Sequence, residues 1–258
     1  SRWVRQILSE ELGEPIGLVA GDSYDGTIGL LLRGDVWVAS LSPRSYLMTR
    51  KRAPDLVLLA RELVGGAATY QSLVVVSESS SIARLQDLRG KRLCLVDPAS
   101  ASGYTYPRML LRGAGLDPDK DVVTVFKRSH SNVARGIAAG VCDAGGIAST
   151  VLTQWREEAG LKDRPSALRI VAVSEGIPGD AVVMRRDTPE KIADAFRRGF
   201  KRIIAISMRG EQPRDLKSGG YASAKDRDYD GLRRAIQADK PPKTSPAPKP
   251  KPSGSRKP

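Results

Sequence analysis

The sequence predicts an α/β protein of two small lobes, each a mainly parallel sheet flanked by helices, with a cleft between them. Three observations carry this. Short apolar runs alternate with amphipathic stretches of about ten residues, the spacing of strands joined by crossover helices. Helical stretches stop at Gly13, Gly34, Gly113 and Gly140, where a residue free to turn left-handed closes the last turn. The chain has 258 residues, 40% of them hydrophobic, enough for one large core or two lobes of roughly 100 to 130 residues without a metal or disulfide staple.

In chain order, Trp3, Ile7, Leu8 and Leu12 recur at helical spacing, and the apolar run Ile16 to Ala20 then reads as a strand. Ser23 caps a helix from about Tyr24 to Leu32, followed by a buried strand at Val36 to Ala39. A helix opened by Pro43 reaches Arg50, and Leu56 to Leu59 and the valine-rich Gln71 to Val76 read as strands. Strands at Leu93 to Val96, Val122 to Phe126 and Val141 to Ile147 alternate with helices at Tyr104 to Arg112 and Asn132 to Ala139. Arg169 to Val173 and Ala181 to Met184 are strands separated by the turn Ile177-Pro178-Gly179-Asp180, and Pro189 to Met208 is a long amphipathic helix. No repeat of fixed solenoid period occurs.

Lys and Arg number 42 against 29 Asp and Glu, a net charge of +13. From Lys240 onward the chain carries six of those cations, seven prolines and no acid, leaving +7 for the rest. Proline removes backbone donors, and nothing apolar is present to bury, so residues 239–258 read as a disordered basic tail. Such a tail is either a solubilising extension or a tether to anionic lipid or a polyanion. Ordering it costs about 1 to 2 kcal/mol per residue with nothing to offset that, so it is expected not to pack on either lobe.

No apolar run approaches the 18 or so residues of a membrane span. The chain begins at Ser1, so either a signal peptide has been removed or the sequence is cut from something longer. Cys94 and Cys142 are the two cysteines. Lying in the body of one strand and at the start of another, offset along them, they are expected to be reduced thiols. There is no GxGxxG, P-loop, HExxH, CxxC or GxSxG. With His130 the single histidine, a Ser-His-Asp hydrolase has one imidazole to build on.

In open α/β sheets ligands bind beyond the carboxyl ends of strands, where helix N-termini offer free N–H groups. The turn Asp97-Pro98-Ala99-Ser100-Ala101-Ser102-Gly103 follows a strand and enters a helix. Ser100 and Ser102 can donate to an oxyanion, and Gly103 allows close backbone approach; ordinary capping explains the same residues. Ser129-His130-Ser131-Asn132 stands at a second such position, where His130 is placed to donate. Tyr24 and Tyr70, at a helix start and a strand entrance, can close over a ligand or pack at a boundary. Ser40-Leu41-Ser42-Pro43 with Tyr46 also follows a strand end, and Asp143 reads as a packing or hinge residue.

Taken together, YQSLVVV, DLRGKRLCLVDPASASGY, SHSNVARGIAAGVCDAGGIAS and RIVAVSEGIPGDAVVMR, in that order and spacing, resemble the phosphate/phosphonate/phosphite-binding solute receptors of ABC importers. GLVAGDSYDGTIGLLLRGDVWVASLSPRSYL and DRDYDGLRRAI resemble that family's first-lobe segment and closing helix, so the likeness spans about residues 3 to 236. The resemblance implies the two-lobed type II periplasmic-binding-protein fold. It divides the chain into lobe one (1–70 and 178–238), lobe two (71–177) and the tail (239–258). It also implies a receptor, not an enzyme, that works as a monomer without cofactor or nucleic acid. That receptor binds phosphite, phosphate or a short alkylphosphonate and hands it to importer membrane subunits, in the periplasm or outside the cell, with membrane association allowed. A ligand-sensing domain of the same fold, acting in signalling, is the alternative, and a polyanion- or nucleic-acid-binding protein is the alternative of another class.

Residue by residue, the resemblance implies ligand contacts from Tyr24, Tyr70, Ser100, Ala101, Ser102, His130 and Asp180. Ala101 stands where the family often has Thr, and Trp37 where it commonly has an acid. Aminoalkylphosphonate receptors hold the ammonium with carboxylates; Asp180 matches one, whereas Ser149 and Thr150 supply no acid at the other. The family opens with a strand before the first helix and this chain starts at that helix, so the central strand of lobe one is expected to be missing.

Overall fold

The computed structural model describes residues 1–159, 168–214, 216 and 218–240. The chain runs α1 (Arg2–Leu12), α2 (Tyr24–Arg33), β1 (Val38–Leu41), α3 (Pro43–Arg52), β2 (Val57–Glu62), β3 (Thr69–Tyr70) and β4 (Ser72–Ser77). It continues through β5 (Arg92–Leu95), a π turn (Ala101–Thr105), α4 (Tyr106–Gly113), β6 (Val123–Phe126), α5 (His130–Ala138), β7 (Ala144–Ala148) and α6 (Ser149–Ala159). β8 (Leu168–Val173), β9 (Ile177–Pro178), β10 (Ala181–Met184), α7 (Glu190–Met208), β11 (Tyr221–Ala222) and α8 (Asp230–Ala238) complete it. Ser23, Ser42 and Ser129 cap α2, α3 and α5 through their side chains. Left-handed glycines close α1 and α2.

Two larger sheets form, a four-stranded one in the order β1-β10-β2-β11 and a five-stranded one in the order β6-β5-β7-β4-β8. Each is covered on both faces, and the two-residue period of a strand does the sorting. On β10, Val182 and Met184 join the core under α1 and α7 with Leu8, Phe196 and Phe200. Ala181 and Val183 point the other way, to Leu31, Leu47 and Leu232 of α2, α3 and α8. In the second sheet Leu73 and Val75 pack with Val133 and Ile137 of α5, whereas Val74 and Val76 pack with Leu93, Leu95 and Leu111. The chain crosses from the first sheet to the second through β3 and returns through β9, and these two short strands pair antiparallel, Tyr70 opposite Ile177.

Strand direction differs from the mainly parallel expectation in a specific way. β1 and β2 both run antiparallel to β10, so they are parallel to each other, as a β1-α3-β2 crossover demands. β10 lies between them. In the second sheet β5 is parallel to β6 and β7, while β4 is antiparallel to both β7 and β8. The inserted strands β4 and β10 are those entered directly from the β3–β9 crossing. Local alternation predicts crossovers; it contains no information on which distant strand inserts between their ends.

Four further expectations are corrected. Ile16 to Ala20 forms no strand: Leu18 is 66% and Val19 63% exposed. With β1, α1 and α7 this segment borders an apolar groove of about 760 Å³. The IPGD turn contains β9. Cys94 and Cys142 are joined in a disulfide with Cα atoms 5.8 Å apart, not held as thiols. β7 begins only at Ala144, and Cys142 before it donates its N–H to Gly136 O at the end of α5, which turns it toward Cys94 rather than leaving it offset along a ladder. Asp239, assigned by the sequence to the tail, closes α8 and bonds Arg108 Nε at 3.0 Å and Arg112 Nε through its backbone oxygen at 2.8 Å. A carboxylate shared by two largely buried guanidiniums is part of the folded body. Residues 241–258 lie outside the described residues.

Candidate functional site

The site is built on two strand-to-helix turns from the same sheet. After β5, Ser100 N–H bonds Asp97 O at 2.9 Å and Ala99 N–H bonds Asp97 Oδ1 at 2.7 Å, which folds the turn tightly. Gly103 N–H donates to Ser100 Oγ at 3.0 Å, so the Ser100 hydroxyl proton remains free to donate elsewhere. Buried Ser72 donates to Ser102 O at 2.6 Å and fixes the backbone there. The N–H groups of Ala101 and Ser102 have no partner among the described residues. They open the π turn leading into α4, an insertion that frequently marks functional sites. Gly103 fits because a Cβ there would collide with the Val96 side chain and reach 3.0 Å from His130 Cε1.

The second turn ends β6. Lys127 and Arg128 N–H groups continue the pairing onto Leu95 and Val96 oxygens at 2.8 and 2.9 Å, after which the chain turns at Arg128 with φ 66°. Among the described residues this is the one left-handed position not held by glycine. Ser129 then caps α5, and His130 is its first residue. His130 Nδ1 accepts the Ala148 N–H at 3.1 Å, so the ring proton must sit on Nε2. Burial lowers its pKa to about 4, and the imidazole is neutral at physiological pH.

Tyr24, Tyr70, Ser100, Ala101, Ser102, His130 and Asp180 all line one cavity of about 350 Å³. Ser102 Oγ donates to Tyr70 Oη at 3.4 Å, leaving the phenol proton free. Burial raises both tyrosine pKa values, so both hydroxyls remain donors. Among the described residues no Lys or Arg lines this cavity, and the donors they offer an anion are neutral. Its other end is acidic. Burial and then neighbouring Glu62 raise Asp180 to about 7, and burial raises Glu62 itself. Among the described residues the Asp180 carboxyl makes no side-chain hydrogen bond.

Other candidates fall elsewhere. Tyr46 donates to Asp226 Oδ1 at 2.6 Å and packs on Tyr229. Asp143 accepts Arg92 N–H at 2.7 Å and pairs with its guanidinium, a packing role. Trp37 carries Arg185 over its ring at 5.3 Å. Ser42 and Thr150 do line the cavity, as do Glu62 and Gln154, which carry no signal in the sequence. Arg128 and Asp22 enter an adjoining cavity; for Arg128 the one available signal was its place two residues before His130.

Two sheets joined by a double crossing, with opposed strand ends around a donor-lined cleft, define a type II periplasmic binding protein, the class of receptors that capture a small solute between two lobes. The chain belongs to the family of periplasmic substrate-binding proteins of ABC transporters for phosphonate, whose model matches residues 3–229. It is 25% identical over 247 residues to the phosphate-import protein PhnD of Mycolicibacterium smegmatis, covering 88% of this chain and 77% of that one. It is also 25% identical over 199 residues to the phosphonates-binding periplasmic protein of Escherichia coli, covering 74% of this chain and 58% of that relative. In fold it is similar to PhnD1 from Prochlorococcus marinus in complex with methylphosphonate (TM-score 0.77, 18% identity, 92% of this chain and 90% of that one). It is likewise similar to a binding-protein component of a phosphonate transporter from Pseudomonas aeruginosa (TM-score 0.73, 20% identity, 93% and 82%). Members of this family are the solute-binding components of importers, and their partners are a small ligand and the transporter's membrane subunits.

Proposed function

We propose that the cleft captures a tetrahedral phosphorus oxyanion (phosphate, phosphite or a short alkylphosphonate) and presents it to importer membrane subunits at the outer face of the membrane. The observation that carries this is the convergence of His130 Nε2–H, the Ser100, Tyr24 and Tyr70 hydroxyls and the two free amides at Ala101 and Ser102 on one cavity. Uncharged donors in a largely desolvated cleft hold an oxyanion without a counter-ion. The relatives named for phosphate or phosphonate support the same ligand class. The β3–β9 crossing supplies a hinge about which the lobes close.

The protein acts as a monomeric receptor and catalyses no reaction. Both imidazole nitrogens are committed, one accepting from Ala148 and the other protonated, so His130 offers no lone pair to activate a serine. Among the described residues Arg128 of the adjoining cavity is the one Lys or Arg lining the cleft, too few cations to track a nucleic-acid backbone. Calorimetric titration with methylphosphonate, phosphate and phosphite, with sulfate alongside, tests the reading. Binding heat with at least one phosphorus oxyanion is expected; no heat or thermal shift with any of them at millimolar concentration overturns it.

A further inference from the structure

Beside the donor-lined cavity lies a second one of about 330 Å³, which shares Tyr24, Ser42 and Asp180 with it. Its lining is of another kind. Arg128, Asp22, Ser23, Thr27, Ser40 and Ser45 contribute a guanidinium, a carboxylate and four hydroxyls, and Leu41 is its one aliphatic side chain. The Arg128 side chain and Ser40 Oγ have no partner among the described residues. Asp22 accepts one hydrogen bond, from Ser23 Oγ at 2.9 Å.

Arg128 comes from the β6–α5 turn of the five-stranded sheet, whereas the other lining residues come mostly from α2, β1, α3 and the residues just before these helices, around the four-stranded sheet. The left-handed backbone at Arg128 is held by a non-glycine residue two positions from His130. Alternating acceptors and donors suit a group that is itself both donor and acceptor, which is the chemistry of vicinal hydroxyls. A methyl or ethyl substituent offers the carboxylate and guanidinium no partner in exchange for their water.

We infer that the preferred ligand is a phosphate monoester or phosphonate with a small polyhydroxylated substituent, whose hydroxyls occupy this second cavity between Asp22 and Arg128. The inference rests on the phosphoryl-binding reading of the first cavity and adds the substituent class to it. Glycerol 3-phosphate and methylphosphonate, titrated calorimetrically into the wild-type chain and into Arg128→Gly and Asp22→Ala, separate the two. Both substituted side chains are exposed, and glycine suits the left-handed backbone. Glycerol 3-phosphate is expected to bind at least tenfold more tightly than methylphosphonate, and each variant to lose about tenfold for the glycerol ester while holding methylphosphonate within twofold. Methylphosphonate binding equal to or tighter than the ester, or equal losses for both ligands, overturns the inference and leaves the phosphoryl site standing. Absence of binding by both, with phosphate and phosphite also silent, overturns the phosphoryl reading itself.

Discussion

His130 Nδ1 accepts the backbone N–H of Ala148 at 3.1 Å, and this one bond sets the chemistry of the cleft. It joins the first residue of α5 to the last of β7 and directs the Nε2 proton away from the sheet. Replacing the ring by alanine removes a donor from a desolvated site. His130→Ala is therefore expected to weaken oxyanion binding by about 1 to 3 kcal/mol, and Ser102→Ala, which removes the bond that holds the Tyr70 hydroxyl, to weaken it less, both with folding intact by circular dichroism.

The same histidine makes the fold less stable in acid. Its pKa is about 4 in the folded chain and near 6.5 when unfolded. The unfolded chain thus binds the extra proton first as pH falls. The contribution is fully present above about pH 6.5 and is lost between there and pH 4, up to about 3 kcal/mol. Denaturant midpoints of the parent should fall over this window, and those of His130→Gln should fall less.

Asp180 has the opposite sign. Raised to about 7, it is neutral in mildly acid solution and ionises beside the ligand as pH rises. Asp180→Asn is expected to bind methylphosphonate several-fold more tightly than the parent at pH 8 and equally at pH 5.5. Calorimetry at both pH values, each variant against the parent so that the ligand's own titration cancels, checks this. A constant ratio across pH would remove Asp180 from the anion's surroundings.

Gly103→Ala places a methyl against Val96 and His130 Cε1. It is expected to disturb both donor turns together and to lower affinity more than Ser102→Ala does. Isothermal titration beside a thermal melt separates this local effect from general unfolding.

The Cys94–Cys142 bridge closes a loop over a sequence separation of 48. Chain-entropy reasoning assigns such a loop about 4 kcal/mol. Thiol counting in denaturant without reductant should find no free thiol, and reduction or Cys142→Ala should lower the melting temperature. Two reactive thiols would show that the bridge does not form.

The sequence by itself determined the local units. Asp97 to Gly103 and Ser129 to Asn132 are contiguous strand-turn-helix segments whose caps and backbone freedom are written in adjacent residues, so the donors they carry were legible. Ser100, Ala101, Ser102 and His130 line one cavity for that reason, and the family pattern adds Tyr24, Tyr70 and Asp180, which line it too. Only the tertiary structure decided what distance along the chain conceals. It reversed β4 and β10 within their sheets, turned Cys142 onto Cys94, and tied Asp239 to Arg108. It also brought Glu62 of β2 to the cleft and set Arg128 of one sheet facing Asp22 beside the other. Those contacts join residues far apart in the chain, and they are fixed by which strands insert between which: a property of packing two whole sheets, to which no local run of residues corresponds.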